Sequence, residues 1–432
     1  MRRIVLTLFA AFVFGAAPAS GQWRRAGLDG QAIGAVAADP SNGSILYAAS
    51  FQRIWKSVDG GDVWTRSDAG YTGDGAIGIA IDRANPARIV VASNGGIFRS
   101  TNSGATWAAS NTGLSGQIAG ALATDPSSSS PLWVSVNGPG GGVHRSDDWG
   151  ATWTAVPLPV PGVTAASLAI RGTDVFAGWT NVLFRNRAGG GWTIPYPDTI
   201  RDGITAIAAP PGDGELVVGA SSTGIRRSTS TPAPAWLPAS AGLTSLHISA
   251  LAVKPLEATT VYAASNGGGT FRSIDGGRTW TPVQSGLLNT DVSSLAFNPS
   301  GTRLYAGTAD GIFSLDLSSL EPCGDLMALC LNRGRFRVRI AWAVPSQGTS
   351  GVAFPVPLTD DTGAFWFFTP QNLEIMIKVV DGRAFNGRFW VFYGALSNVD
   401  YTVTVFDTTT ATTKTYTNSG GAIASVADTN AF

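Results

Sequence analysis

The sequence predicts an all-β chain, a seven-bladed β-propeller followed by a small β-sandwich, and three observations carry this: a ladder of tryptophans, a parallel ladder of small-residue apolar segments, and a composition poor in charge and rich in turn formers. Trp23, Trp64, Trp107, Trp153, Trp192, Trp236 and Trp280 are separated by 41, 43, 46, 39, 44 and 44 residues. A unit of this length is too small to bury a core alone and gains one by packing against copies of itself. Only 13% of the 432 residues are charged, 44% are hydrophobic and 54 are glycine, which suits short strands joined by tight turns and leaves almost no helix.

The N-terminus comes first in the chain. Met1, Arg2 and Arg3 precede an apolar run from Ile4 to Ala17, too short for a bilayer span and built like a secretory signal. Residues 1–21 are therefore expected to be a signal peptide, and the mature product to be secreted or periplasmic with no transmembrane segment.

Each unit then opens on a small-residue strand, beginning at Ile33, Ile77, Ile118, Val163, Ile204, Ile248 and Val292. Alanine, serine and glycine suit innermost strands, which crowd around a central axis. Second strands are continuous apolar runs, such as Ile89-Val-Val-Ala and Val261-Tyr-Ala-Ala, the mark of a strand covered on both faces. Third strands read Gly96-Ile-Phe-Arg-Ser100 or Gly269-Thr-Phe-Arg-Ser273, and the ladder tryptophan begins the fourth. The seventh unit has no tryptophan of its own after Gly311-Ile-Phe-Ser-Leu, whereas Trp23-Arg-Arg-Ala-Gly-Leu28 matches the start of a fourth strand. The N-terminal strand is thus expected to complete the last blade and close the ring, which removes exposed sheet edges.

A turn motif joins third and fourth strands. It runs Ser57, Asp59, Gly61, Trp64; Ser146, Asp148, Gly150, Trp153; and Ser273, Asp275, Gly277, Trp280, with a near copy at Ser100, Asn102, Gly104, Trp107. The hydroxyl and carboxylate accept backbone N–H bonds and glycine supplies a positive φ, so the motif reads as a turn lock rather than as chemistry. The units at Asn186–Trp192 and Ser228–Trp236 depart from it and lack the aspartate. Ser-x-Asp-x-Gly-x-x-Trp resembles the Asp-box, or bacterial neuraminidase repeat, of sialidases, sortilin-type receptors, xyloglucan-cleaving enzymes and photosystem II assembly factor-like propellers. The resemblance covers about residues 22–318 and implies that the motif lies away from the functional face.

The formal charge is zero, with 29 basic and 29 acidic residues, which leaves no electrostatic footprint for nucleic acid. Two histidines, His144 and His247, give no metal site or Ser-His-Asp set, and no cofactor is expected. His144 takes the third-strand place of Trp55, Phe98 and Phe271 and reads as a packed substitute. Glu215 and Glu257 fall in turns on the Asp-box face, which argues against a glycosidase pair there. The opposite face carries the candidate ligand residues: Tyr71, Asp74, Trp179, Asn181, Asp202, His247, Asp291 and Asp310. Asp74, Asp202 and Asp291 precede successive inner strands at similar offsets and are expected to rim the channel mouth.

The propeller is assigned residues 22–320 and the β-sandwich residues 321–432, where six alternating or apolar runs lie between Arg335 and Tyr416. Segments such as Asp361-Thr-Gly-Ala-Phe-Trp-Phe-Phe and Phe389-Trp-Val-Phe-Tyr-Gly-Ala-Leu resemble an uncharacterised C-terminal module of secreted bacterial proteins. Trp366, Trp390 and Tyr393 are weighed there as a carbohydrate platform against core packing. Cys323 and Cys330 are expected to form a disulfide in an exported protein. The expected function is non-catalytic: a binding or scaffold protein whose loop face meets a protein or an extracellular glycan, the alternative being a glycoside hydrolase acting on polysaccharide.

Overall fold

A computed structural model describes residues 22–432 apart from 115–117, 126–130, 139–140, 161–164, 188, 197–199, 201, 212–214, 230–234, 318–327, 333, 369–371, 420 and 422. The expected signal peptide and Cys323 lie outside the described residues. The chain is all-β with almost no helix: among the described residues only a single turn of α-helix, Arg383–Asn386, and a 3-10 turn, Pro345–Gln347, interrupt the strands.

Six antiparallel four-stranded sheets follow in chain order, their inner strands being Ile33–Ala38, Gly78–Ile81, Ile118–Thr124, Ser167–Arg171, Ile204–Ala208 and Ile248–Val253. A seventh is built from Val292–Phe297, Arg303–Thr308 and Gly311–Asp316, and its fourth strand is Trp23–Arg25, paired antiparallel in the register Trp23↔Leu315, Arg24↔Ser314 and Arg25↔Phe313. Such small antiparallel sheets are typical of a propeller. The second strands Leu46–Ser50, Ile89–Ser93, Val217–Ala220 and Val261–Ser265 are buried along their whole length, so their apolar character comes from neighbours on both faces.

Six of the seven ladder tryptophans join one sheet to the next by a recurring bond. The indole N–H of Trp64 donates to Ala26 O at 2.6 Å, Trp107 to Ser67 O at 2.6 Å, Trp153 to Ser110 O at 2.9 Å, Trp192 to Val156 O at 3.1 Å, Trp280 to Ala239 O at 2.9 Å and Trp23 to Val283 O at 2.7 Å. Each acceptor lies three residues beyond the previous tryptophan of the ladder. A buried indole N–H left without a partner costs about 1–3 kcal/mol, so the spacing of the ladder is set by this bond as well as by ring packing.

Inner strands carry a second inter-sheet link. In the first, third, fifth, sixth and seventh sheets the register slips near the start of the inner strand, at Ile33/Ala35, Ala119/Ala121, Ile204/Ala206, Ile248/Ala250 and Val292/Ser294. A bulge re-aims the extra residue. Here the skipped residues include Thr205, Ser249 and Ser293, whose hydroxyls donate to Ile248 O, Val292 O and Ile33 O, the first residues of the next inner strands. Gly34 fills the same place in the first sheet, where a Cβ would come within 2.2 Å of Ala76 O.

Residues 328–432 form two five-stranded sheets. One orders Leu329–Leu331, Phe336–Val344, Asp400–Asp407 and Thr412–Asn418, with Thr349–Val352 also on Phe336–Val344; the other orders Phe354–Pro357, Thr362–Trp366, Ile375–Gly382, Arg388–Ala395 and Ser425–Asp428. Strict alternation puts Val338, Ile340, Val403 and Val405 of the first against Ile375, Ile377, Val379 and Val391 of the second in one core. Tyr393 belongs to that core, and Trp366 is buried and stacked on Phe354 with centroids 4.0 Å apart. Neither presents a ring to a sugar; Trp390, half-buried on the outer face, is the one of the three with an accessible ring. Cys330 is disulfide-bonded.

His144 is buried on the third strand, paired with Val134 and Ala155, in the place the sequence assigns to a packed side chain. Burial lowers its pKa below the usual histidine value, against a smaller opposite effect from a Gly142 backbone hydrogen bond. The folded state therefore prefers neutral His144, and the stability it confers is complete above the unfolded pKa of about 6.5 and is lost as pH falls through the lower folded value. His144→Phe is expected to flatten that part of the stability profile below pH 6.5, measured as denaturation midpoints from pH 4.5 to 8.

Candidate functional site

Strand alternation places the loops before each inner strand and the second-to-third hairpins at one end of the sheets. The first-to-second turns and the Ser-x-Asp-x-Gly-x-x-Trp turns fall at the other end. At that second end the motif side chains are hydrogen-bonded within their own turns. Ser57, Ser146 and Ser273 donate to Asp59, Asp148 and Asp275 at 2.7–2.8 Å and accept the N–H of Gly61, Gly150 and Gly277 at 2.7–2.9 Å. Asn102 serves the same way beside Ser100, with Gly104 N on the serine. Burial raises the Asp148 carboxyl, but bonds from Thr152 and Ser146 outweigh it and hold the pKa at about 2. The two glutamates share this end: Glu215 pairs with Arg227 and Arg278, and Glu257 with Lys254 at 2.6 Å.

The loop end holds the predicted ligand residues in three kinds of place. Tyr71 is buried, packed edge-on against Phe98 at 4.8 Å and Trp107 at 6.4 Å, so its ring is core. The signal was in the spacing: Tyr71 lies seven residues after Trp64, as Leu114, Leu243 and Leu287 lie after Trp107, Trp236 and Trp280, each following a glycine that the next tryptophan covers. Asp202 is taken up by its own hairpin, accepting from Ser221 Oγ, Ser222 N at 2.6 Å and Thr223 N at 2.8 Å. Burial acts to raise its pKa, but these bonds prevail and hold it well below the carboxylate range. Asp310 pairs with Arg25 at 2.7 Å and accepts Gly30 N at 2.8 Å, tying the segment after the first strand to the seventh sheet.

Trp179 and Asn181 are half-buried, and Trp179 packs on the core of the fourth sheet. Their carbonyls accept Ile204 N at 3.3 Å and Ile200 N at 3.0 Å from the fifth sheet's leading segment. Asp74 is half-buried, while His247 and Asp291 are exposed; the carbonyls of all three accept an amide of their own sheet's hairpin, Asn94 N, Asn266 N and Ala309 N. Asp74, Asp202 and Asp291 stand before the second, fifth and seventh sheets, not before successive ones, and so form no opposed carboxylate pair on neighbouring sheets.

What sequence reading missed at this end is apolar. Phe51 is 64% exposed and Leu288 72%, with Leu246 and Ile77 also exposed. They occupy the loops of the first, seventh, sixth and second sheets. Among the described residues no group of three or more His, Cys, Asp or Glu side chains is placed to hold a metal ion, and no helix is long and apolar enough to cross a membrane.

Among solved structures the chain is similar to YCF48 from Cyanidioschyzon merolae, with 16% identity and a TM-score of 0.53 over 68% of this chain and 98% of that one. It is also similar to YCF48 bound to D1 peptide, with 15% identity and a TM-score of 0.53 over 68% and 96%, and to the WD40 repeats of RRP9, with 16% identity and a TM-score of 0.54 over 69% and 98%. The fold is a β-propeller. At these identities the likeness extends to fold alone. No protein-family model and no curated protein matches the chain.

Proposed function

We propose that the protein is an exported, non-catalytic β-propeller of the Asp-box kind that uses the loop end of its sheets to bind a protein or peptide segment. In this reading residues 22–320 are a closed ring of seven blades, residues 321–432 a β-sandwich module, and residues 1–21 a removed signal peptide. Closure is supported by Trp23–Arg25 pairing with Gly311–Asp316, by the Ser293 hydroxyl bond to Ile33 O, and by Tyr305 OH donating to Gly60 O at 3.1 Å across the same seam.

The observation that carries the binding reading is the row of exposed apolar side chains. Phe51, Ile77, Leu246 and Leu288 belong to the first, second, sixth and seventh sheets, which are consecutive around such a ring. Exposed apolar side chains rimmed by polar ones mark interaction surfaces, and His247 and Asp291 supply polar groups beside them. YCF48, a structure of the same fold, is recorded with D1 peptide, and this supports a peptide-like partner over a glycan. The hydrolase alternative draws little support, because Asp202, Asp310, Glu215 and Glu257 are engaged by hairpin donors or by Arg and Lys.

The test is selection of binders from a random peptide library and a glycan panel with the purified protein, followed by the double variant Phe51→Ser, Leu288→Ser. A peptide ligand whose affinity drops at least tenfold in the variant, with an unchanged melting curve, is the expected result. Hydrolysis of a polysaccharide that Asp74→Asn or Asp291→Asn abolishes would overturn the reading.

A further inference from the structure

The first Ser-x-Asp-x-Gly-x-x-Trp turn departs from its copies at the residue before the tryptophan, where the other three agree. In the others a threonine stands four residues after the Asp or Asn: Thr152 and Thr279 donate their hydroxyls to the second carboxylate oxygen of Asp148 and Asp275 at 2.6 Å, and Thr106 accepts from Asn102 Nδ2 at 2.8 Å. In the first turn the position is Val63, an exposed apolar residue. Asp59 Oδ1 accepts from Ser57 Oγ, Asp62 N and Val63 N, while its Oδ2 has no hydrogen-bond partner among the described residues.

Asp59, itself exposed, is among the walls of an open cavity of about 350 Å³ where the seventh sheet meets the first, on the end of the sheets opposite the apolar loop row. Asp59, Asp316, Arg303, Asn298, Ser44 and Tyr305 are among its walls. The volume lies in the small-molecule range of about 300–1,000 Å³. The lining offers both acceptors and donors: two carboxylates disfavour an anion, and a sugar hydroxyl both donates to carboxylate and accepts from guanidinium or amide. Asn298 and Arg303 are held in place: Asn298 Oδ1 accepts Arg303 N at 2.9 Å, its amide donates to Thr302 Oγ1 at 3.0 Å, and Arg303 Nη1 reaches Gly60 O at 3.4 Å.

We propose that this cavity between the seventh and first sheets is a binding site for a neutral saccharide unit, with the unshared oxygen of Asp59 as its principal acceptor and Arg303 as its principal donor. The site is separate from the loop end and does not depend on what binds there. It also accounts for the one turn in which threonine is replaced: a hydroxyl at position 63 would occupy the oxygen that the ligand needs.

Two substitutions remove the acceptor while leaving the turn able to form. Asp59→Asn keeps Oδ1 and copies Asn102, which already holds the second turn; Val63→Thr copies the third and sixth sheets and supplies the missing internal donor. The experiment is saturation-transfer NMR of the full chain with glucose, galactose, mannose and N-acetylglucosamine, and with lysine, phosphate and calcium chloride in parallel arms by calorimetry. The expected result is binding of at least one of the four sugars, weakened fivefold or more in both variants and unchanged in Asp148→Asn. Absence of sugar binding, sugar binding that survives both substitutions, or binding confined to lysine, phosphate or calcium would overturn the proposal. Val63→Thr guards against misfolding, since it is expected to retain or raise the melting temperature.

Discussion

Trp280→Ala is expected to lower the unfolding free energy by about 3–5 kcal/mol, the range for emptying a large aromatic site. Trp280 is fully buried among Val217, Ile225, Val261 and Phe271, residues of the fifth and sixth sheets, so its loss opens a cavity between sheets rather than within one. The substitution also strands Ala239 O, which the indole N–H otherwise satisfies. Trp23, Trp107, Trp153 and Trp236 are buried to a similar degree, whereas Trp64 and Trp192 are half-buried. Alanine at the last two is expected to cost clearly less. Urea denaturation of the seven single variants checks the order, and equal losses along the ladder would contradict the role given to inter-sheet burial.

The second large effect is at the seam. Deleting residues 22–28 removes the strand Trp23–Arg25 and uncovers the polar edge of Gly311–Asp316 together with Phe313 and Leu315, both buried in the intact chain. It also removes the indole bonds to Val283 O and Thr270 Oγ1 and the Arg25 pair with Asp310. An open strand edge flanked by exposed apolar side chains recruits another strand, so the truncated protein is expected to self-associate and to melt well below the intact one. A synthetic peptide of residues 22–31, added in excess, is expected to restore the monomer. Light scattering and thermal melts read both effects.

Much of this fold is legible in the sequence because its period is long and its marks are large. Trp23 without a partner third strand, and Gly311-Ile-Phe-Ser-Leu without a tryptophan, together announce the pairing later found between Arg24 and Ser314. The hydroxyl links of Thr205, Ser249 and Ser293 were hidden for a physical reason: serine and threonine are common on any strand, and the acceptor lies on another sheet, 43 residues on for Thr205 and Ser249 and 260 residues away for Ser293. The candidate site was less legible still. Asp202 and Asp310 look like free loop carboxylates until the hairpin amides and Arg25 that satisfy them are brought near. Tyr71 carried its own sign in the seven-residue offset from Trp64, but a tyrosine in a glycine-rich loop also resembles a ligand contact. The cavity beside Asp59 depends on the meeting of the first and last sheets, so no single stretch of sequence contains it.

Closure of the ring by the N-terminal strand is the claim on which the rest depends, and a cysteine pair tests it directly. Arg24 and Ser314 face each other across the two strands, with Arg24 Nε 3.2 Å from Ser314 Oγ, and directly opposed strand residues lie within disulfide reach. Arg24→Cys with Ser314→Cys is expected to form a disulfide in the folded protein, seen as a linked peptide in a non-reducing digest, and to raise stability by about 5 kcal/mol by closing so long a loop. Two thiols that stay reduced in the native protein under mild oxidation, or that link only between molecules, would contradict it.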